Sequence, residues 1–250
     1  MPETPLQSDQ GDQEEKEVLK KPKVLIFASG TSSPETGGGS GFKALVEAAR
    51  EGVFNAEIVA VVTNHENGSV ANLAAALGVP LKYYARSYTP EVCEELKREF
   101  GAEYFILSGF LKKVEGDASS MVNVHPADTK KFGGKGMYGL NIHTKVLEAY
   151  AKGDITESQL TIHFATEKYD EGPVICRIKL PLEGVNPPYT PETLQEEMKE
   201  IEHFYYPRVL DLVVHKKISW DGEDPNSLKL PPDYDDLLKA WEQERLHGKQ

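Results

Sequence analysis

Short apolar runs of strand length alternate with stretches of helical period along most of this 250-residue chain, and few folds accommodate that order. Residues 24–28, Val-Leu-Ile-Phe-Ala, form a continuous apolar run of the kind that a parallel sheet covers on both faces. Phe42, Leu45, Val46 and Ala49 recur at helical spacing and predict a helix over 42–50. Strands are expected at 56–62, 81–84, 104–107 and 121–124. Between them lie a helix at 70–77, stopped by Gly78, and a helix at 90–100 that starts after Thr89 as its N-cap. A helix over 141–151, strands over 159–166 and 174–182, and one long amphipathic helix over 193–214 complete the pattern. The fold class is therefore α/β: a Rossmann-like, doubly wound, mostly parallel sheet in a single domain spanning 22–220.

The ends read differently. Residues 1–21 carry Pro2, Pro5, Gln7, Gln10, Gln13 and a mixed-charge run without apolar periodicity, which predicts a flexible tail. Residues 221–250 are rich in proline and acid, then helical from about Asp233. They form an extension that either packs as an arm or hangs free.

The formal net charge of −12 excludes broad nucleic-acid binding, because such a chain repels polyanions. It leaves room for a phosphorylated small molecule, since a few backbone N–H groups can hold one phosphate. Two cysteines far apart, Cys93 and Cys176, make neither a disulfide framework nor a Cys-rich metal site, and a reducing cytoplasm is the simpler expectation. No apolar window is long enough to span a bilayer and no signal-peptide pattern opens the chain, so no membrane partner is expected. The oligomeric state is not legible.

Two segments place titratable side chains where an apolar strand gives way to a loop, the position at which open α/β sheets bind ligands. One is Asn123-Val124-His125-Pro126; the other is Tyr169-Asp170-Glu171-Gly172-Pro173. As plain structure, Asn123 and Asp170 are turn residues and His125 a satisfied buried histidine. As chemistry, an amide donor, an imidazole and a carboxylate can stabilise an oxyanion and move a proton, a combination suited to acyl transfer to an amine. Gly37, Gly38, Gly39, Ser40 and Gly41 follow the first strand and open a helix. They read either as a flexible linker or as a backbone cradle for an anion at a helix N-terminus. The spacing is not that of a dinucleotide fingerprint. Lys130, Lys131 and Lys135, beside Gly133, Gly134 and Gly136, make a local basic segment after His125 that either covers the cleft and attracts an anion or is a solvated loop. The histidines 125, 143 and 163 are too far apart to read as a zinc set, so no metal is expected.

These segments, taken together and in order, resemble the folate-dependent formyltransferase family. The family's site pairs an Asn-x-His-Pro strand end with a later Asp in an Asp-Gly-Gly-Pro-Val-like loop. Lys23 to Gly30 looks like its first strand and turn, Gly39-Ser40-Gly41-Phe42 like its phosphate loop, and Leu107-Ser108-Gly109-Phe110-Leu111 like the segment before its catalytic strand. Glu202-His203-Phe204-Tyr205-Tyr206-Pro207 is similar to a stretch of its last long helix. The likeness covers about residues 22–220. It implies formyl transfer from 10-formyltetrahydrofolate, as co-substrate, to the amine of 5-phosphoribosylglycinamide. Asn123, His125 and Asp170 would be catalytic, and Gly39, Ser40 and Gly41 would hold the phosphate. Lys199 and Glu202 would bind the acceptor; Phe110, Leu111, Lys112, Thr166 and Tyr169 would line the folate pocket. His163 would stand behind the site, although by pattern alone it is a core histidine. The chain departs from the family at an insertion over 31–37, at Gly41, where Asn is usual, and in the longer basic segment after His125. The rivals are a formyltransferase for another amine, such as an amino-sugar nucleotide or an aminoacyl-tRNA, and a non-catalytic folate or phosphosugar binder.

Overall fold

A computed structural model describes residues 20–248, so the expected tail over 1–21 lies almost wholly outside the described residues. The first apolar run becomes β1 (Lys23–Phe27), which pairs in parallel with β2 (Glu57–Thr63) on one side and β4 (Tyr104–Leu107) on the other. β2 continues outward to β3 (Leu81–Tyr83), and β4 to β5 (Met121–His125), all parallel. β6 (Glu157–Phe164) and β7 (Val174–Pro181) then add antiparallel to β5 and to each other. The order in the seven-stranded sheet is β3-β2-β1-β4-β5-β6-β7. The chain winds outward from β1 to β3 and then returns to β4 beside β1, which opens a crevice at the carboxyl ends of those two strands.

Period-two alternation decides which face each strand residue serves. Val24 and Ile26 pack with Phe42 and Leu45 of α1 (Ser40–Glu51), and with α5 (Leu140–Ala151) and α6 (Pro191–Val214). Leu25 and Phe27 point the other way, onto Cys93 and Leu96 of α3 (Pro90–Phe100). Each of these strand side chains is fully buried, worth about 1.5–3 kcal/mol apiece in transfer from water. α2 (Ser69–Leu77) joins the first face through Val70 and Ala74 and ends at Gly78, as the sequence predicts.

The structure corrects some boundaries. α6 begins at Pro191 rather than 193, because Thr190 and Thr193 form a reciprocal capping box that pulls the proline into the first turn. Residues 129–132 form a short helix, α4 (Thr129–Phe132), capped by the Asp128 carboxylate, which accepts from Lys130 N at 2.9 Å. The C-terminal extension packs as an arm. Trp220 lies against Phe164, and Tyr234, at the start of α7 (Tyr234–His247), is buried. Farther along α7, Trp241 meets Tyr205, and Arg208 and Glu244 form an ion pair.

α6 is tied to the sheet by one hydroxyl. Tyr206 Oη is buried and lies 2.9 Å from Leu107 O and 3.0 Å from Val122 O, carbonyls on the adjacent strands β4 and β5. Tyr206→Phe should strip both carbonyls of this donor and cost about 1–3 kcal/mol. In urea unfolding the midpoint should fall with the slope unchanged.

Candidate active site

β5 ends in the sequence Asn-Val-His, and residues two apart on a strand share a face, so Asn123 and His125 look into the same crevice. The antiparallel partner of Asn123 is His163 on β6. Asp170 comes from the loop between β6 and β7 and has a backbone φ of 58°, a left-handed conformation uncommon for a residue with a side chain. Two contacts hold it there. Gly172 lies so close to the backbone of Phe164 that any Cβ would collide with its carbonyl oxygen. Gly134 N donates to Asp170 Oδ2 at 2.9 Å.

The other carboxylate oxygen, Oδ1, is the hub. Asn123 Nδ2 donates to it at 3.3 Å, and His125 Nδ1 and His163 Nε2 each stand 3.6 Å away. The three predicted catalytic side chains therefore converge, with His163 as a fourth member. That histidine is both the core residue its strand pattern indicates, 1% exposed, and part of the cleft wall. The register that pairs it with Asn123 is what brings it in, and a single sequence reveals only the alternation, not the register.

Hydrogen-bond chemistry fixes the tautomers. His125 Nε2 lies 2.8 Å from the Phe132 carbonyl, which can only accept, so Nε2 carries the proton and Nδ1 faces Asp170. His163 Nδ1 likewise donates to Phe164 O at 2.8 Å, leaving Nε2 to accept from Asn123 Nδ2 at 3.2 Å. Both amide hydrogens of Asn123 are thus directed at Asp170 and His163. The sequence reading reserved that amide for an oxyanion; the longer of these bonds, 3.3 Å, is the one an oxyanion can displace. Burial lowers the His125 pKa and outweighs the opposing pull of Asp170 and of the Phe132 carbonyl, so the neutral ring is favoured. Burial pushes Asp170 up, but positive charge on His163 or His125, together with the Gly134 N–H bond, holds it below the ordinary aspartate range, so it stays ionised.

Around this hub lies a cleft of about 790 Å³. Every catalytic, phosphate-, acceptor- and folate-binding residue that the resemblance implies lines it: Gly39, Ser40, Gly41, Phe110, Leu111, Lys112, Asn123, His125, Thr166, Tyr169, Asp170, Lys199 and Glu202. On one side is the N-terminus of α1. Gly39 has φ 85° and no side chain caps the helix, so the first-turn N–H groups of Ser40, Gly41 and Phe42 have no intrahelical acceptor. A side chain at Gly41 would strike the Ser108 hydroxyl and the Glu202 carboxylate, which accounts for glycine here. On the other side, Phe110 is wedged edge-on between Phe27 and Tyr88, with ring centroids 5.4 and 5.2 Å away, giving the wall a rigid apolar patch.

The basic segment does not act as a unit. Only Lys135 of its three lysines lines this cleft. Lys131 lines a separate cavity of about 310 Å³ with Asp128 and Phe132, and Lys130 lines neither. The Asp128 cap curls 129–132 into α4 and turns these two lysines away. Lys112, Lys113, Lys168 and Lys199 also line the main cleft, so five lysines face two carboxylates in an acidic chain. Lys199 donates to Gln195 at 3.3 Å rather than closing an ion pair on Glu202. Burial pushes the Glu202 carboxyl up to about 7, against the opposing effects of Lys199 and the Ser108 hydroxyl. His143 of α5 is a further wall residue, one that nothing in the sequence pattern marks. Among the described residues no group of three His, Cys, Asp or Glu side chains is placed to share a metal ion, and no helix is long and apolar enough to cross a membrane.

Comparisons with known proteins bear on the family and the fold. The family model described as formyl transferase matches residues 23–210. The chain is 29% identical over 228 residues to a chloroplastic phosphoribosylglycinamide formyltransferase of Arabidopsis thaliana, covering 86% of this chain and 73% of that protein. It is 29% identical over 224 residues to the trifunctional purine biosynthetic protein adenosine-3 of Bos taurus, covering 82% of this chain and 20% of that one. Among solved structures it is similar to a phosphoribosylglycinamide formyltransferase from Coxiella burnetii, with a TM-score of 0.64 and 25% identity, covering 85% of this chain and all of that one.

Glu202 gives a stability prediction that needs no substrate. Between its ordinary value of 4.5 and the folded value of about 7, the folded chain holds the extra proton. The Glu202 contribution to stability therefore falls as pH rises through that window, by on the order of 3 kcal/mol. Glu202→Gln should abolish this slope. At pH 8 its melting temperature should exceed that of the unmutated chain by about 5 °C, with the two converging near pH 4.

Proposed function

The chain belongs to the formyl transferase family, and from that premise we propose that it transfers a formyl group from 10-formyltetrahydrofolate to the amine of 5-phosphoribosylglycinamide, a step of purine biosynthesis. One observation carries the reading. Asp170, Asn123, His125 and His163 meet at the centre of a cleft that has a free helix N-terminus on one side and an apolar, lysine-edged wall on the other. A phosphate fits the first side and a pterin the second. The two cysteines, both buried and unpaired, support a reducing, cytoplasmic setting.

The chemistry follows from the protonation states. The neutral amine attacks the formyl carbon; the new C–N bond forms and the carbonyl electrons move to oxygen. Asn123, releasing Asp170, donates to that oxyanion. The amine, now cationic, loses a proton to the Asp170 carboxylate or, through it, to His125 Nδ1 3.6 Å away. A protonated His125 is stabilised on both nitrogens, by the Phe132 carbonyl at Nε2 and by the carboxylate at Nδ1. It returns the proton to the folate nitrogen as the old C–N bond breaks. The proton count closes: the hydrogen lost by the amine ends on tetrahydrofolate. The lysines along the wall suit anionic parts of both substrates, and their attraction is screened by salt.

The test is formyl transfer from 10-formyltetrahydrofolate to a panel of amines, with 5-phosphoribosylglycinamide as the expected acceptor. His125→Ala should lower kcat by about 100-fold or more with the circular dichroism spectrum unchanged. Turnover of an amino-sugar nucleotide or an aminoacyl-tRNA in its place would overturn the acceptor assignment, and absence of any transfer would overturn the enzyme.

A second expectation concerns the phosphate. Ser40→Asp puts a negative charge at the uncapped N-terminus of α1, where it competes for the same N–H groups. The KM for the phosphorylated acceptor should rise by about tenfold or more, while the KM for the formyl donor stays within twofold, a difference that initial-rate kinetics resolves.

A further inference from the structure

His143 takes no part in the chemistry above, although it stands on the wall of the same cleft. It lies in the first turn of α5 and is 2% exposed. Its Nδ1 is buried with no hydrogen-bond partner. Met198, Lys199 and Glu202 of α6, the helix packed on α5, form the neighbouring wall. A buried N–H without an acceptor is rarer in folded proteins than an under-satisfied acceptor, so the ring proton belongs on Nε2 and the lone pair on Nδ1. Burial, reinforced by the charge of Lys199 and by His125 when it is protonated, pushes the ring down to about 4, so it is neutral in the working range. With Nδ1 sealed, Nε2–H is the polar group His143 has left for a ligand.

Two of its electrostatic neighbours mark the ends of the acceptor. Lys199 shares α6 with Glu202, whose carboxylate a side chain at Gly41 in the proposed phosphate loop would strike, His125 is at the reacting centre, and both act electrostatically on His143. We propose that His143 is a specificity-determining residue for the acceptor, its Nε2–H donating a hydrogen bond to an uncharged oxygen, hydroxyl or amide carbonyl, between the reacting amine and the phosphate. A neutral ring suits this position. It does not repel the amine as that nitrogen becomes cationic during attack. It also rejects amines that lack the oxygen, because such a ligand leaves a buried donor unpaired. The inference rests on the acceptor proposed above.

The test is steady-state kinetics with 5-phosphoribosylglycinamide and 10-formyltetrahydrofolate on the full chain, its His143→Leu variant and its His143→Gln variant. Leucine removes the donor at similar bulk; glutamine keeps one. His143→Leu should raise the acceptor KM about three- to tenfold, the worth of one neutral hydrogen bond. The formyl-donor KM should be unchanged, kcat should stay within about threefold, and His143→Gln should recover most of the loss. A purely structural histidine would instead lower kcat and disturb both KM values together, and that result, or an acceptor KM within twofold of the unmutated value, overturns the assignment. Should the leucine variant fail to fold, the unmutated chain decides: the Nε2–H signal of His143 in a ¹⁵N-histidine spectrum should shift when 5-phosphoribosylglycinamide is added but not when inorganic phosphate is. An unshifted signal sinks the idea. An unmutated chain that does not formylate this acceptor refutes the proposed function; a working enzyme whose acceptor KM ignores His143 refutes this inference alone.

Discussion

A carboxylate removed from water must have its lone pairs satisfied or it will take a proton, and the site is arranged around meeting that requirement at Asp170. One oxygen receives the Gly134 N–H and the other the Asn123 amide, with two imidazole nitrogens 3.6 Å away that join in when they carry a proton. The left-handed backbone at Asp170 is what aims the carboxylate inward, and it persists because Gly172 lets the next turn press against Phe164. Gly133 adds to the constraint: a Cβ there would strike the Thr129 carbonyl and lie 3.2 Å from the Asp170 side chain. α4, the loop after it and the loop after β6 therefore fix one another through glycine contacts. His125 joins the same assembly through the Phe132 carbonyl.

The sheet makes this arrangement possible because it changes direction beside β5. A wholly parallel sheet would place another strand end next to Asn123. The antiparallel β6 instead runs back past it and sets His163 directly opposite. Acid–base groups thus come from a parallel strand, its antiparallel neighbour and the loop that leaves that neighbour. The proposed anion-holding end of the cleft comes from a helix terminus on the other side of the crevice, in the manner expected where an open sheet reverses its winding. The charge pattern is in keeping with anionic ligands: a chain of net charge −12 brings five lysines to the lining of this cleft.

Much of this was legible in the residues. Strand and helix positions followed from apolar runs and spacing because burial on both faces leaves a strong mark, and the one long helix over 193–214 differed only by two residues at a capping box. Asn123, His125 and Asp170 were legible because each ends or follows a buried strand. What the sequence hid were properties of packing. α4 depends on a single aspartate cap inside a stretch that reads as a basic loop, so spacing leaves open a cleft role for Lys130 and Lys131 that the fold does not give them. The roles of His163 and His143 depend on strand register and on which helix face meets α6. The high pKa of Glu202 comes from burial beside Ser108, two residues 94 apart in sequence, which spacing alone does not reveal.

The most direct test of the account is a crystal structure of the chain with 5-phosphoribosylglycinamide and a tetrahydrofolate analogue that cannot transfer its one-carbon group. The account predicts the phosphate against the N–H groups of Ser40, Gly41 and Phe42, the pterin between Phe110–Lys112 and Thr166–Tyr169, and the acceptor amine beside Asp170 and His125. A phosphate bound elsewhere, or an amine on the far side of the sheet from Asp170, would contradict it.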